Sequence, residues 1–297
     1  MKAQEWKQKL QQAVERVRTF AREQGKPALS FRRTPRRLGL ALSGGFARGL
    51  SHIGVLRVLE ENGIPVHFLA GTSIGGLIAG AYASGARLDA IAAAAHRVRW
   101  KDFGQWTLSR MGLASNKRME ALVRRIFRAL RFEDLKIPLA IVATDLKAAE
   151  PVVFTSGRLV PAVRASCAYP GLFLPVEHEG KLLADGALVA PVPTNAVRAL
   201  GADVVLAVHL DCIDTETEPK TMVDVLSRSL GIAARSSEPV WRKQADLVIE
   251  PEVNDYRWDS FEQASELIAA GEQAMRDVLP RLEKLLQPKR LPRAAAF

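Results

Sequence analysis

Cysteine is almost missing from this 297-residue chain, which has only Cys167 and Cys212, without metal-ligand spacing. Two cysteines cannot make a disulfide framework, so a reducing compartment is expected. Acidic side chains are also scarce, 32 against 42 Lys and Arg, which leaves a formal charge of +10 and a sequence pI near 9.9. Long apolar runs are missing too. The longest, around Phe68 to Ala83, is interrupted by Thr72, Ser73 and several glycines, and it falls short of the roughly 20 residues that a membrane-spanning helix needs. The amino-terminal lysines are followed by Glu5, Gln8, Gln11, Gln12 and Glu15 rather than by the apolar stretch of a secretory leader. These absences predict a cytoplasmic location; no cofactor and no metal are expected.

What is present suits a globular fold. A composition of 48% hydrophobic and 25% charged residues is that of one large α/β domain or two small ones. Much of the positive charge precedes the body of the chain, in Arg16, Arg18, Arg22, Lys26, Arg32, Arg33, Arg36 and Arg37. Only Phe20 and Phe31 stand among these residues, too few aromatics for a nucleic-acid binding face, so the run reads as an electrostatic arm and no nucleic-acid partner is expected. Within residues 2–24, Trp6, Leu10, Ala13, Val14, Val17, Phe20 and Ala21 recur at helical spacing. An amphipathic helix is predicted there. Its apolar stripe either packs on the main body or lies on an anionic membrane surface, peripheral to the inner face of the membrane. Residues 1–37 are accordingly assigned to a helical segment with a basic linker, 38–286 to one domain and 287–297 to a tail.

From Leu38 the pattern becomes strand, glycine turn, helix. Leu38 to Leu42 is a short apolar run ending in Ser43-Gly44-Gly45, with a helix predicted from Arg48 to Asn62. Val66 to Ala70 repeats the pattern before Gly71 to Gly75 and a helix over Gly76 to Ser84. Such units in series predict parallel strands joined by crossover helices. Further helices are predicted over 88–99, 116–131, Arg158 to Cys167, Val192 to Leu200, 221–235 and Phe261 to Leu286. Strands are predicted at Pro138 to Thr144, Val152 to Thr155, Lys181 to Leu183, Ala202 to Leu210 and Ala245 to Glu250. The expected architecture is an α/β protein, a three-layer α/β/α sandwich with a mainly parallel central sheet.

Three motifs carry chemistry. Gly71-Thr72-Ser73-Ile74-Gly75 fits G-x-S-x-G, in which small neighbours let a strained strand-to-helix turn expose a serine. Ser43-Gly44-Gly45-Phe46-Ala47-Arg48-Gly49 presents consecutive backbone N–H groups between a strand and a helix. Neither G-x-G-x-x-G nor a Walker Gly-Lys-Ser can be written there, which disfavours a nucleotide and leaves an oxyanion hole as the alternative. Asp185-Gly186-Ala187 sets a carboxylate at a turn, a weak signal by itself.

In this order the three motifs resemble the patatin-like phospholipase family. The resemblance runs from about Leu38 to Leu210 and includes Ser51-His52-Ile53-Gly54-Val55-Leu56 and the stretch from Ala165-Ser166 to Pro170 and Pro175. It implies a Ser-Asp dyad that hydrolyses fatty-acyl esters such as phospholipids, without histidine or metal. Ser73 would be the nucleophile, Asp185 the base, and the N–H groups at Gly44, Gly45 and Phe46 the oxyanion hole. Arg48, Gly49, Gly71, Gly75 and Gly186 would support them. The family loop carries a third glycine where Phe46 stands, and a side chain there restricts φ and narrows the acyl entrance. Two readings compete. His209 follows a predicted strand, so the order Ser73, Asp145 or Asp185, His209 would suit an α/β-hydrolase triad. Alternatively, the chain is a non-catalytic, membrane-associated regulatory protein on a hydrolase fold.

Overall fold

A computed structural model describes residues 36–211 and 218–288. The helix expected over 2–24 lies outside the described residues, as does all but the start of the 287–297 tail. In chain order the elements are β1 (Leu38–Leu42), α1 (Ser51–Glu61), β2 (Val66–Thr72), α2 (Ile74–Ala83), α3 (Leu88–Ala95), α4 (Trp100–Phe103), β3 (Gln105–Trp106), β4 (Gly112–Ser115) and α5 (Met119–Ile126). There follow β5 (Leu139–Asp145), β6 (Glu150–Phe154), α6 (Leu159–Ser166), β7 (Gly171–Phe173), β8 (Val176–His178), β9 (Lys181–Asp185) and α7 (Thr194–Ala199). The described chain closes with β10 (Val204–Val208), α8 (Met222–Arg235), α9 (Glu238–Gln244), β11 (Leu247–Ile249) and α10 (Ala264–Leu286).

The central sheet runs β11-β10-β1-β2-β5-β9-β8, with β6 also paired to β5. From β11 through β5 the pairings are parallel; β6, β9 and β8 join antiparallel. The continuous apolar strands are explained by burial on both faces. Leu38, Leu40 and Leu42 enter one core cluster with Ile53, Leu56, Ile78 and Leu267 of α1, α2 and α10. Ala41 enters another, with Val197 of α7 and Trp241 of α9. A period of two therefore sends alternate residues to opposite helical layers, giving an α/β/α sandwich with a mainly parallel sheet. Each fully buried leucine in β1 contributes about 1.5–3 kcal/mol.

Several boundaries differ from the predicted ones. The helix expected from Arg48 begins as a 3-10 turn over Phe46–Leu50, and that expected over 116–131 ends at Ile126. Short strands β3, β4, β7 and β8 and the helices α4 and α9 were not predicted.

Candidate active site

The register of β5 brings the two catalytic candidates together. One edge of β5 pairs with β6 from Ile141 to Asp145. The other edge pairs with β2 through Thr72↔Val142 and then with β9 from Asp185↔Ala143. Ser73, the residue after Thr72, thus leaves the sheet where Asp185 arrives on the same edge. Two segments more than 100 residues apart in sequence end side by side.

Ser73 occupies a strained turn, φ 56° and ψ −128°, between β2 and α2. Such backbone in a residue with a Cβ costs about 1–3 kcal/mol and needs its surroundings to hold it. The surroundings explain the glycines: a Cβ at Gly75 would meet Leu42 O at 2.3 Å, and one at Gly71 would meet Gly76 N at 2.4 Å. The Ser73 N–H donates to Ser166 Oγ at 2.8 Å, and that hydroxyl donates to Val142 O at 2.6 Å. Ser166 is fully buried. It was legible in sequence only as part of the resemblance, because nothing in local spacing signals a bond to a residue so distant. Ser166→Ala would orphan a buried donor and a buried acceptor, each costing about 1–3 kcal/mol. It is expected to lower the melting temperature and to reduce kcat about tenfold with little change in KM, measured by thermal melts and ester kinetics; the selective loss of kcat separates positioning of Ser73 from general destabilisation.

Asp185 ends β9 and is almost completely buried. Its Oδ1 accepts from the Ala187 N–H at 2.9 Å, while Thr144 Oγ1 donates to its carbonyl at 2.8 Å. A Cβ at Gly186 would lie 2.2 Å from Val142 O, so only glycine lets this turn press against β5. Burial raises the Asp185 pKa to about 7, against the lowering effects of the Ala187 N–H and the Ser73 hydroxyl. The serine hydroxyl is thus near enough to act on the carboxyl, although Oδ2 has no partner in hydrogen-bonding geometry. A buried carboxylate oxygen without a partner is costly, and a functional role explains its retention.

The glycine loop lines the same cavity as Ser73 and Asp185. Among the described residues, the N–H groups of Gly44, Gly45 and Phe46 have no protein acceptor, whereas their neighbours do: Ser43 N–H donates to Val208 O and Ala47 N–H to Trp258 O. A Cβ at Gly44 would stand 3.3 Å from that of Ser73, so the loop backbone passes close to the serine. Phe46 adopts φ 49° despite its side chain, and its ring packs edge-on against Tyr169 at 5.0 Å and Trp258 at 5.2 Å. Glycine-like backbone is therefore kept at this position, with aromatic packing offsetting its strain. Buried Arg48 donates to the carbonyls of Tyr256, Asp211 and Asn254, tying the loop to the chain just after β10 and to the segment before α10. At Gly49 a Cβ would meet Ile74 Cγ2 at 2.3 Å. His52 accepts no charge here: its Nε2–H donates to Ser43 O at 2.9 Å, and burial lowers its pKa to about 4.

All of Ser73, Asp185, Gly44, Gly45 and Phe46 line one cavity of about 370 Å³, a size that accommodates a small-molecule substrate. His209 also lines it, but its Nδ1 pairs with Glu250 Oε1 at 3.0 Å and its ring lies against Trp241. Asp145 is committed to the Lys147 and Ala148 N–H groups and is not in the cavity wall, which removes it from the alternative triad. His209, Glu238 and Glu250 cluster closely enough for a metal, yet the Arg242 guanidinium bridges both carboxylates and supplies the positive charge that a cation would bring.

A serine on a strained strand-to-helix turn, within a mainly parallel sheet covered on both faces, defines the elbow-serine class of α/β proteins. Residues 40–198 match the family model described as Patatin-like phospholipase. The chain belongs to the patatin-like phospholipase family. It is 37% identical over 205 residues to an NTE family protein of Mycobacterium tuberculosis, covering 65% of this chain and 55% of that one. It is 35% identical over 237 residues to lysophospholipase NTE1 of Mycosarcoma maydis, covering 74% of this chain and 12% of that one. The chain thus spans about half the length of the mycobacterial relative and far less of the fungal one. Among solved structures, VipD from Legionella pneumophila shares the fold with a TM-score of 0.51 at 15% identity, over 83% of this chain and 67% of that one. Among the described residues no helix is long and apolar enough to cross a membrane.

Proposed function

We propose that this chain is a lipid acyl hydrolase of the phospholipase A, lysophospholipase or esterase type, working through a Ser73–Asp185 dyad and an acyl-serine intermediate. The observation that carries this reading is the meeting, in one cavity, of a strained serine, a buried carboxyl with an unpartnered oxygen, and a loop of uncommitted N–H groups. Ser73 Oγ attacks the ester carbonyl as its proton passes to Asp185, forming the O–C bond of a tetrahedral intermediate. Its oxyanion meets the N–H groups of Gly44, Gly45 and Phe46. Collapse expels the alcohol, which takes the proton from Asp185. Water then enters, gives its proton to the same carboxylate and attacks the acyl-serine; collapse returns a proton to Oγ and releases the fatty acid.

Desolvation gives Asp185 enough basicity for this task near neutral pH. The lysophospholipase name of the fungal relative supports lysophospholipids as a substrate class. The purified protein is expected to release free fatty acid from a lysophosphatidylcholine and nitrophenol from a short-chain nitrophenyl ester. Release from neither, at any pH between 6 and 9, would contradict the reading.

A further inference from the structure

Helix α8 is unusual in having apolar residues on both sides and none of its described side chains fully buried. Its inner side supplies Ser227, Leu230, Gly231 and Ala234 to the wall of the catalytic cavity. Its outer side exposes Met222, Val225 and Ile232, at 71%, 53% and 59%, and Val240 on α9 is exposed nearby in sequence. Met222, Val225 and Ile232 fall on one helical face, which they share with exposed Ser229 and Ser236. In water, several large apolar side chains exposed on one helical face mark an interaction surface.

A second apolar group adjoins the first. The connection between β3 and β4 exposes Trp106, Leu108 and Met111, with Leu108 wholly in solvent. Gly112, next to Met111, pairs with Gly171 of β7, and Leu226 of α8 packs against that same Gly171, its Cδ2 lying 2.3 Å from where a Cβ would be. Hairpin and helix are therefore joined through β7. Exposed Arg110 sits among the hairpin apolar residues and Lys220 just before α8, and neither makes an ion pair among the described residues.

We propose that the outer face of α8 and the tip of the β3–β4 hairpin form a docking surface for a lipid bilayer bearing anionic phosphate headgroups. Two observations favour a bilayer over a protein. The stripe is the outer side of a helix whose inner side lines the cavity, so a bilayer held there lies one helix away from the acyl-ester site. Apolar side chains interspersed with uncommitted cations also match an interface of acyl chains beneath phosphates. The proposal rests on the reading of the cavity as an acyl-ester site, but docking is measurable without turnover.

The test is flotation of the full chain with vesicles of phosphatidylcholine containing about a third phosphatidylglycerol. Wild type is expected to float. The double variant Val225→Glu/Ile232→Glu and the single variant Leu108→Glu should each reduce the floated fraction about tenfold, while hydrolysis of a soluble short-chain nitrophenyl ester stays within about twofold of wild type. These residues are exposed and outside the cavity lining, so ester turnover and thermal melts report whether the variants fold. Wild type that does not float, or variants that float like it, would overturn the proposal; binding carried by residues 1–35 alone gives the second result. Variants that float normally but lose self-association would show that a second copy covers the face, and would likewise overturn it. If wild type floats, the variants do not, and no protein cleaves the ester, the docking surface stands and the hydrolase reading fails.

Discussion

Asp185→Asn is expected to lower kcat about 10³-fold, the scale of a lost general base, while His209→Ala changes it by less than about threefold, the scale of a lost partly exposed ion pair. The asymmetry follows from where each side chain is committed. Asp185 keeps one buried oxygen without a hydrogen-bond partner beside Ser73, whereas His209 pairs with Glu250. Asparagine preserves the acceptor for the Ala187 N–H, so the turn should survive. Its amide has no basic lone pair at neutral pH. Steady-state kinetics of both variants decide the matter: an inactive, folded His209→Ala with a substantially active Asp185→Asn would establish a triad instead.

The pH dependence is less discriminating than the residue types alone suggest. A carboxylate base is ordinarily expected to titrate well below a histidine, but burial raises Asp185 to about 7, so kcat/KM should rise with pH through about 7 under either base. Stability separates the effects better. The folded-state pKa lies above the ordinary value of 3.8, so folding favours the protonated acid: the stabilisation is full below about pH 4 and is lost as pH rises through about 7. Asparagine stays neutral throughout. Asp185→Asn should therefore be more stable than wild type by a margin that grows by about 2–3 kcal/mol between pH 5 and pH 8, read from denaturant melts at the two pH values. The comparison cancels the opposite trend of His52, whose depressed pKa costs stability as pH falls below about 6.5. A margin that is flat with pH would mean that Asp185 is ionised in the fold at little cost.

The strands buried on both faces were legible because such strands are written as apolar runs between helical layers: Leu38–Leu42 and Val204–Val208 are unbroken, and Val66–Thr72 is interrupted only at His67 before it ends in Gly71-Thr72. The elbow was legible because its steric demands are local, with Gly71 and Gly75 facing backbone within the motif or in the adjoining strand. Strands of two to four residues such as Gln105–Trp106 and Val176–His178 are too short to show a period, and their pairing is set by distant partners. The antiparallel arrival of β9 was hidden for the same reason. Its consequence, placing Asp185 where β2 stops, depends on a register against β5 that no local pattern encodes. Phe46 shows a different limit. A non-glycine residue gave no hint that the loop would keep positive φ, because the compensating rings of Tyr169 and Trp258 lie far along the chain.

Replacing Ser73 with alanine should leave the fold intact and reduce ester turnover by at least about 10⁴-fold, because a methyl group cannot form the acyl-enzyme while the loop and cavity remain. The alanine fits the same turn, since it keeps the Cβ and removes only the hydroxyl. Turnover falls with any serious damage to the site, however, so the most direct measurement is covalent. A fluorophosphonate, whose phosphorus is attacked by an activated serine in place of the carbonyl carbon, should modify wild type once, and mass spectrometry of the digested protein should place the adduct on Ser73. Asp185→Asn should label far more slowly and Ser73→Ala not at all. An adduct on any other serine, or undiminished labelling of Ser73→Ala, would contradict the assignment of Ser73 as the nucleophile.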